Sequence, residues 1–278
     1  MVVLHRLRGG ACAVAAVVGA GMGMTATTGC SSGGDAVADA RPTGDLTASV
    51  RNAADVLARY GTSKARTSME MAAGGTRVTI RGEGGYDFRR GMGRLRVVLP
   101  KDPAGSDEHQ PITELLAPGA LYMKDRGAGV PSDKWVRVDT STLKDGNLVT
   151  GGATDPAAAA ELLRGVRTVT YVGRVDLAGV KVTHFRGTTD IGAAAKAASP
   201  AVRGALAAAA KGFTQDTVPF DAYLDAAGRL RKVRHQFSFT NQGRTVAVSS
   251  TTLLYGFGEP VVVELPARQD LYTGRVRV

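Results

Sequence analysis

Between Thr168 and Ile191 the chain alternates. Val180, Val182 and His184 fall on one side of an extended backbone, and Lys181, Thr183 and Phe185 fall on the other. A first run of β-branched and aromatic residues, Thr168–Val175, precedes them, and the turn Asp176-Leu-Ala-Gly179 separates the two. A period of two broken by a Gly-bearing turn predicts a β-hairpin. The texture returns in Phe220–Leu224, turn Asp225-Ala-Ala-Gly228 and Leu230–Phe239, and continues in Thr245–Tyr255.

Upstream, Ala65–Ala72 and Thr76–Gly82 flank Gly74-Gly75, with Val78 and Ile80 on one face. Gly85–Arg89 reads as a further short strand carrying Tyr86 and Phe88 on one side. Leu95, Val97 and Leu99 alternate with Arg94, Arg96 and Val98, and Pro100 closes that strand. Ile112–Leu116 and Leu121–Lys124 flank Pro118-Gly119, and Trp135–Asp139 and Val261–Leu265 complete the extended segments.

Helical spacing is confined to three places. Asp45–Tyr60 places Leu46, Val50, Ala53, Ala54, Leu57 and Ala58 on one stripe and predicts an amphipathic helix stopped by Gly61. Asp155–Gly165 has an N-capping Asp155, Pro156 at the first helical position and Gly165 as its stop. Gly192–Lys211 is rich in alanine and is broken by Pro200, which predicts two short helical pieces or one broken helix, serving as a mobile flap over the sheet or as a poorly packed connector.

Strands dominate, without βαβ alternation. The fold class is α+β: a curved antiparallel half-barrel sheet of about ten strands, with helices packed on the concave side. The apolar face of such a sheet must be covered. Where helices cover it incompletely, an apolar concavity remains that an acyl chain can occupy. Alternation alone nominates Val78, Ile80, Tyr86, Phe88, Leu95, Val97, Leu121, Met123, Phe237 and Phe239 as its lining.

The first thirty residues change the picture. Met1–Gly10 carries His5, Arg6 and Arg8 and no acid; Ala11–Ala26 is uncharged, small and apolar; Thr27-Thr-Gly-Cys30 follows. This is the n-region, h-region and cleavage-site order of a secretory signal peptide, spanning 1–29. The Cys after Gly29 resembles a bacterial lipobox, with Thr27 where Leu is usual. That resemblance implies Cys30 as the acylated first residue of the mature chain; the alternative is ordinary signal-peptide cleavage nearby that leaves a free Cys. Cys12 lies in the removed segment, so acylation also disposes of an otherwise unpaired thiol in an oxidising compartment. Thioether-linked diacylglycerol plus an N-acyl chain supplies the multi-chain anchoring that stable membrane attachment needs. Residues 30–44, small and polar, read as a flexible tether; 45–266 form the domain; 267–278 read as a tail. The expected location is the extracellular face of the cytoplasmic membrane, with the lipid anchor as the membrane contact.

The 278 residues carry a formal charge of +10, and loss of Arg6 and Arg8 with the leader leaves +8. No nucleic-acid module or stacking motif accompanies this charge, so nucleic acid is not expected as a partner. Anionic headgroups or wall polyanions suit it better, or a solvated surface with no partner. The basic clusters Arg89–Arg96 and Arg229–Arg234 read as solvated strand faces, one of which can meet headgroups.

Catalytic and metal chemistry find little support. His109, His184 and His235 have no HExxH spacing and no Cys partner, and no metal or cofactor is expected. Ser141-Thr-Leu-Lys144 matches SxxK without its companion motifs. G-x-S-x-G, Walker A and dinucleotide glycine patterns are absent from the sequence, and no enzyme is expected.

The order of Cys30, the hairpin Val175-Asp-Leu-Ala-Gly-Val-Lys-Val-Thr-His-Phe-Arg-Gly187, the strand–turn–strand Asp221-Ala-Tyr-Leu-Asp-Ala-Ala-Gly-Arg-Leu-Arg231 and the ending Tyr255-Gly-Phe-Gly-Glu-Pro260 resembles the actinobacterial LprG/LppX lipoprotein family over Asp45–Pro266. That family is similar in structure to the lipoprotein carriers LolA and LolB. The resemblance implies a half-barrel closed by helices around an apolar cavity. Members bind acylated lipids or glycolipids outside the membrane and hand them on, which implies a membrane transporter as partner. Such pockets have no fixed signature, so only Cys30 matches a position of defined chemistry. The sequence therefore leaves two functions open: a lipid carrier or sensor, and a ligand-free interaction module that docks an envelope protein or wall polymer.

Overall fold

The alternation becomes one sheet. A computed structural model describes residues 43–100, 110–125, 129–149, 154–241 and 243–274. Cys30, the leader, nearly all of the tether and His109 lie outside the described residues. The strands are β1 (Thr62–Ala73), β2 (Thr76–Asp87), β3 (Met92–Val98), β4 (Ile112–Ala117), β5 (Ala120–Lys124), β6 (Trp135–Asp139), β7 (Val166–Leu177), β8 (Val180–Asp190), β9 (Thr217–Asp225), β10 (Leu230–Asn241) and β11 (Arg244–Tyr255). The helices are α1 (Leu46–Arg51), α2 (Ala53–Tyr60), α3 (Pro156–Glu161), α4 (Ile191–Ala197) and α5 (Pro200–Gly212).

All eleven strands join one open, curved sheet in the order β6-β5-β4-β3-β2-β1-β11-β10-β9-β8-β7. Every pairing is antiparallel, and β1 meets β11 through Ala65↔Leu254 and Thr67↔Thr252. Two meanders, β1–β6 and β7–β11, are thus joined at the middle of the sheet by the first and last strands. Among the described residues β6 and β7 are the edges, and the sheet does not close.

The helices gather on the apolar face. α2 and α3 lie on β10, α1 on β7 and α4 on β8, while α5 packs on α4 and on the 140–142 turn. Leu57, Leu162, Leu163, Ile191 and Leu206 are at most 1% exposed and share one core with Leu95, Leu121, Phe220 and Leu254. Helix ends are capped in the expected manner: Asp45 Oδ1 accepts from Thr47 N (2.8 Å) and Asp155 Oδ1 from Ala157 N (2.8 Å).

Several details differ from the sequence reading. The stretch Asp45–Tyr60 is two helices, because Asn52 caps α1 and opens α2. Gly85–Arg89 is not a separate strand; β2 runs unbroken to Asp87 through Gly82, Gly84 and Gly85. Gly84 is required there, since a Cβ would sit 1.9 Å from the Arg94 carbonyl oxygen of the neighbouring strand. Val261–Leu265 is not a strand: it follows β11 at the centre of the sheet, where no free edge lies beside it. The alanine-rich segment is neither a loose flap nor a thin connector, because Ala194, Ala198, Leu206 and Ala209 are at most 1% exposed. Its small side chains let backbones touch: a Cβ on Gly146 would meet the Ala205 carbonyl oxygen at 1.8 Å. The start of the expected tail is docked, with Tyr272 N donating to Trp135 O at 2.8 Å, so it covers the outer edge of β6.

Candidate functional site

The ten nominated residues share the buried face. Register places Ile112, Val97, Gly82, Thr67, Thr252, Val233 and Ala222 in one row across seven strands. Adjacent rows hold Leu95, Ile80 with Met69, and Val78 with Met71, Val248 and Phe237. Ile80, Tyr86, Leu95, Val97, Leu121, Met123 and Phe237 are buried, while Val78, Phe88 and Phe239 are half-buried against the same core. They do not converge on one point. Tyr86 and Phe88 meet as a tilted pair at one end of the sheet (4.9 Å between centroids), whereas Phe237 stacks on Phe213 (5.0 Å) beside the last turn of α5.

Phe88 is the nominated residue that reaches a cleft. The space, about 400 Å³, opens where α2, α3 and the start of α5 meet the β2–β3 turn. Its walls are Ala54 and Ala58 of α2, Ala157 and Ala160 of α3, Ala201 and Val202 of α5, and Phe88. Its rim is charged: Asp55, Arg89, Arg90, Glu161 and Arg164. The aromatic pair therefore links the cleft to the interior, because Tyr86 behind Phe88 is 1% exposed.

Hydrogen bonds hold that rim. Arg164 forks onto Asp55 (Nη2–Oδ1 2.7 Å, Nη1–Oδ2 3.1 Å) and also binds Glu161. The Ser199 amide, just before α5, donates to Glu161 Oε2 at 3.2 Å. Arg89 donates to the carbonyls of Ala58 (3.2 Å) and Arg59 (2.5 Å), closing the end of α2. The Asp55 hydrogen bond raises the Arg164 pKa further, and Arg164 lowers that of Asp55. The arrangement is a fixed frame around small apolar walls, with room for a chain and cations at its mouth.

Sequence reasoning missed the polar content of the buried face. Asp155 turns its carboxyl inward and accepts from the Tyr86 hydroxyl, and burial pushes its pKa up to about 6. His235, 1% exposed and stacked on Phe237 at 5.8 Å, is pushed down to about 3 by burial, so its imidazole is neutral. Among the described residues its Nε2, like Ser63 Oγ and Thr252 Oγ1, has no hydrogen-bond partner. Even-numbered spacing along β10 could have put His235 inside, but nothing in the sequence marks it as unpartnered. His184 does not join it. It sits on the other face, bound to Asp221 (Nε2–Oδ1 2.7 Å) and stacked on Tyr223.

Ser141 lies in a single turn of 3₁₀ helix and donates its hydroxyl to Asp139 (2.6 Å). Among the described residues no group of three or more His, Cys, Asp or Glu could hold a metal ion. Among them, too, no helix is long and apolar enough to cross a membrane.

The class this geometry defines is an open antiparallel sheet roofed on its apolar face by short, alanine-rich helices. No family model matches the chain, and no curated protein matches it. Among solved structures it is similar to lipoprotein LppX of Mycobacterium tuberculosis (TM-score 0.43, 12% identity, 79% of this chain and 98% of that one). It is also similar to LprF of Mycobacterium bovis (TM-score 0.39, 12% identity, 80% and 96%). A LolA superfamily protein of Nitrosomonas europaea follows at TM-score 0.31, 10% identity, 81% and 96%. Of these neighbours, LppX is a lipoprotein and the third belongs to the LolA superfamily.

Proposed function

We propose that the chain is an envelope lipoprotein that holds an acylated lipid or glycolipid for transfer or sensing. In this reading the leader is removed before Cys30, and acylated Cys30 anchors the 45–266 domain at the extracellular face of the cytoplasmic membrane. The acyl chain lies in the cleft between α2, α3 and α5, against Phe88, the nominated residue that reaches it. A membrane transporter is the partner that supplies or receives it.

The observation that carries this reading is the make-up of the cleft: alanine and Phe88 walls beneath a rim of Arg89, Arg90 and Arg164, the last paired with Asp55 and Glu161. Apolar walls gain about 0.8 kcal/mol for each methylene they bury. A rim of guanidinium groups complements a phosphate or another anionic headgroup. The volume falls within the usual range of ligand pockets, roughly 300–1,000 Å³.

The test is mass spectrometry of solvent extracts from the full chain purified out of its own membranes, beside an Ala201→Trp variant. Ala201 is half-buried on the cleft wall, so an indole there occupies the space with little strain on the core. A stoichiometric lipid in the wild type and its loss in the folded variant are expected. Lipid-free wild type, or equal lipid in both, overturns the reading. Cys30→Ala protein is expected in the soluble fraction; retention in the membrane fraction counts against anchoring at that residue.

A further inference from the structure

We infer that the outer face of the sheet, opposite the helices, is a docking surface for an anionic phospholipid bilayer. Alternation puts Lys64 and Arg66 of β1, Arg81 of β2, and Arg94 and Arg96 of β3 on that face. Register sets them in rows, Lys64–Gly85–Arg94 and Arg66–Glu83–Arg96. Two grooves that share Arg66, Glu83 and Arg96, of about 670 and 690 Å³, run across these strands and β11.

Glu83 and Glu259, the acids that line these two grooves, are already engaged. Glu83 takes Arg66 (2.9 Å) and the Tyr255 hydroxyl (3.0 Å), and Glu259 takes Lys64 (2.7 Å). Glu70, further along β1, pairs with Arg77 (2.6 Å). Among the described residues no ion pair engages Arg81, Arg94 or Arg96, and all three side chains are exposed. Like charges side by side on a sheet repel one another. A fold that places them so is relieved when anions arrive.

The same face exposes aliphatic groups beside the cations. Val98, two residues from Arg96 on β3, is 43% exposed, and Val262, in the segment crossing the groove, is 72% exposed. Cations for headgroups and aliphatic side chains for the acyl boundary are the two components of interfacial membrane binding. A soluble polyanion is matched by the cations alone and leaves the aliphatic groups in water. Charge and apolar exposure together therefore favour the bilayer. This surface lies across the sheet from the cleft and does not depend on what the cleft holds.

The test is co-sedimentation of the full chain, as a Cys30→Ser protein, with vesicles of phosphatidylcholine alone or with about one-third phosphatidylglycerol. The leader's Arg6 and Arg8 favour anionic vesicles by themselves, so the preference is read against R81Q/R94Q/R96Q, which keeps the same leader. Each cation near an anionic surface is worth about fivefold in affinity. Preference for the anionic vesicles by at least tenfold is expected, with loss of most of it in R81Q/R94Q/R96Q and in about 0.5 M salt. Val262→Ser is expected to weaken binding to anionic vesicles severalfold, while K196Q/K211Q, on the helix side, retains the wild-type ratio. Equal binding to both vesicles, equal loss in the helix-side variant, or capture by a soluble sulfated polysaccharide without vesicle binding overturns the inference.

Discussion

At the scale of single residues, the buried face is governed by a few polar groups among many apolar ones. Asp155 is the sharpest case. Its folded pKa of about 6 lies above the ordinary carboxyl value, so its contribution is fully present below about pH 4 and is lost as pH rises through 6. The difference amounts to as much as about 3 kcal/mol by pH 7. Asp155→Asn keeps an N-cap acceptor for Ala157 and removes the titration. The variant is expected to gain on the wild type between pH 4 and pH 7 in urea unfolding curves. A constant difference across that range sinks the assignment. Gly84→Ala acts by another route: its methyl would strike the Arg94 carbonyl, a backbone atom that cannot swing aside. A loss of about 3 kcal/mol or more in unfolding free energy is expected, beyond the usual cost of overpacking; a loss below 1 kcal/mol would mean that β2 and β3 are not so close.

At the scale of elements, period and punctuation carried the sequence reading far. Both hairpins sit where Gly179 and Gly228 follow alternating runs, and Pro200 divides α4 from α5 as expected. What failed was what depends on neighbours. Val261–Leu265 alternates as a strand does, yet nothing in its own residues says that β11 leaves it beside no open edge. The glycines of β2 read as a break, whereas the close approach of β3 explains Gly84. The nominated residues all fall on one face because a period of two fixes sides. The cleft was not legible, because Ala54, Ala157 and Ala201 lie far apart in sequence and alanine carries no signal for a wall. The clamp between elements can be tested directly. Arg164 is 18% exposed and its partner Glu161 9%, so Arg164→Met strands a mostly buried carboxylate. A loss of about 2–4 kcal/mol is expected, and Glu161→Gln in the same chain should recover much of it. Additive losses in calorimetry would mean that the two side chains act separately.

At the scale of the whole molecule, the centre of the sheet is where its first and last strands meet. β1 follows α2 directly and β11 is the last strand, yet they lie side by side in the centre, pairing Lys64 with Tyr255 and Ala72 with Ala247. Neither meander has a covered inner edge until this seam forms, and the helices bind both: α2 precedes β1 but rests on β10. The sheet should therefore melt as one unit, with little tolerance in β11 and much at the β7 edge. Val248 pairs with Met71 on one side and Phe237 on the other and is 3% exposed. Proline there removes a ladder donor in a strand flanked on both sides. Val172 is 48% exposed, and the register skips it at the bulge between Tyr171 and Gly173. Proline is tolerated at edge bulges. Val172→Pro is expected to shift stability by about 1 kcal/mol or less and to keep a single transition, whereas Val248→Pro abolishes cooperative unfolding altogether. Circular dichroism against urea reads both. If Val248→Pro instead keeps about half the strand signal with its own transition, the meanders fold independently, and the seam is a contact between two finished sheets rather than the centre of one.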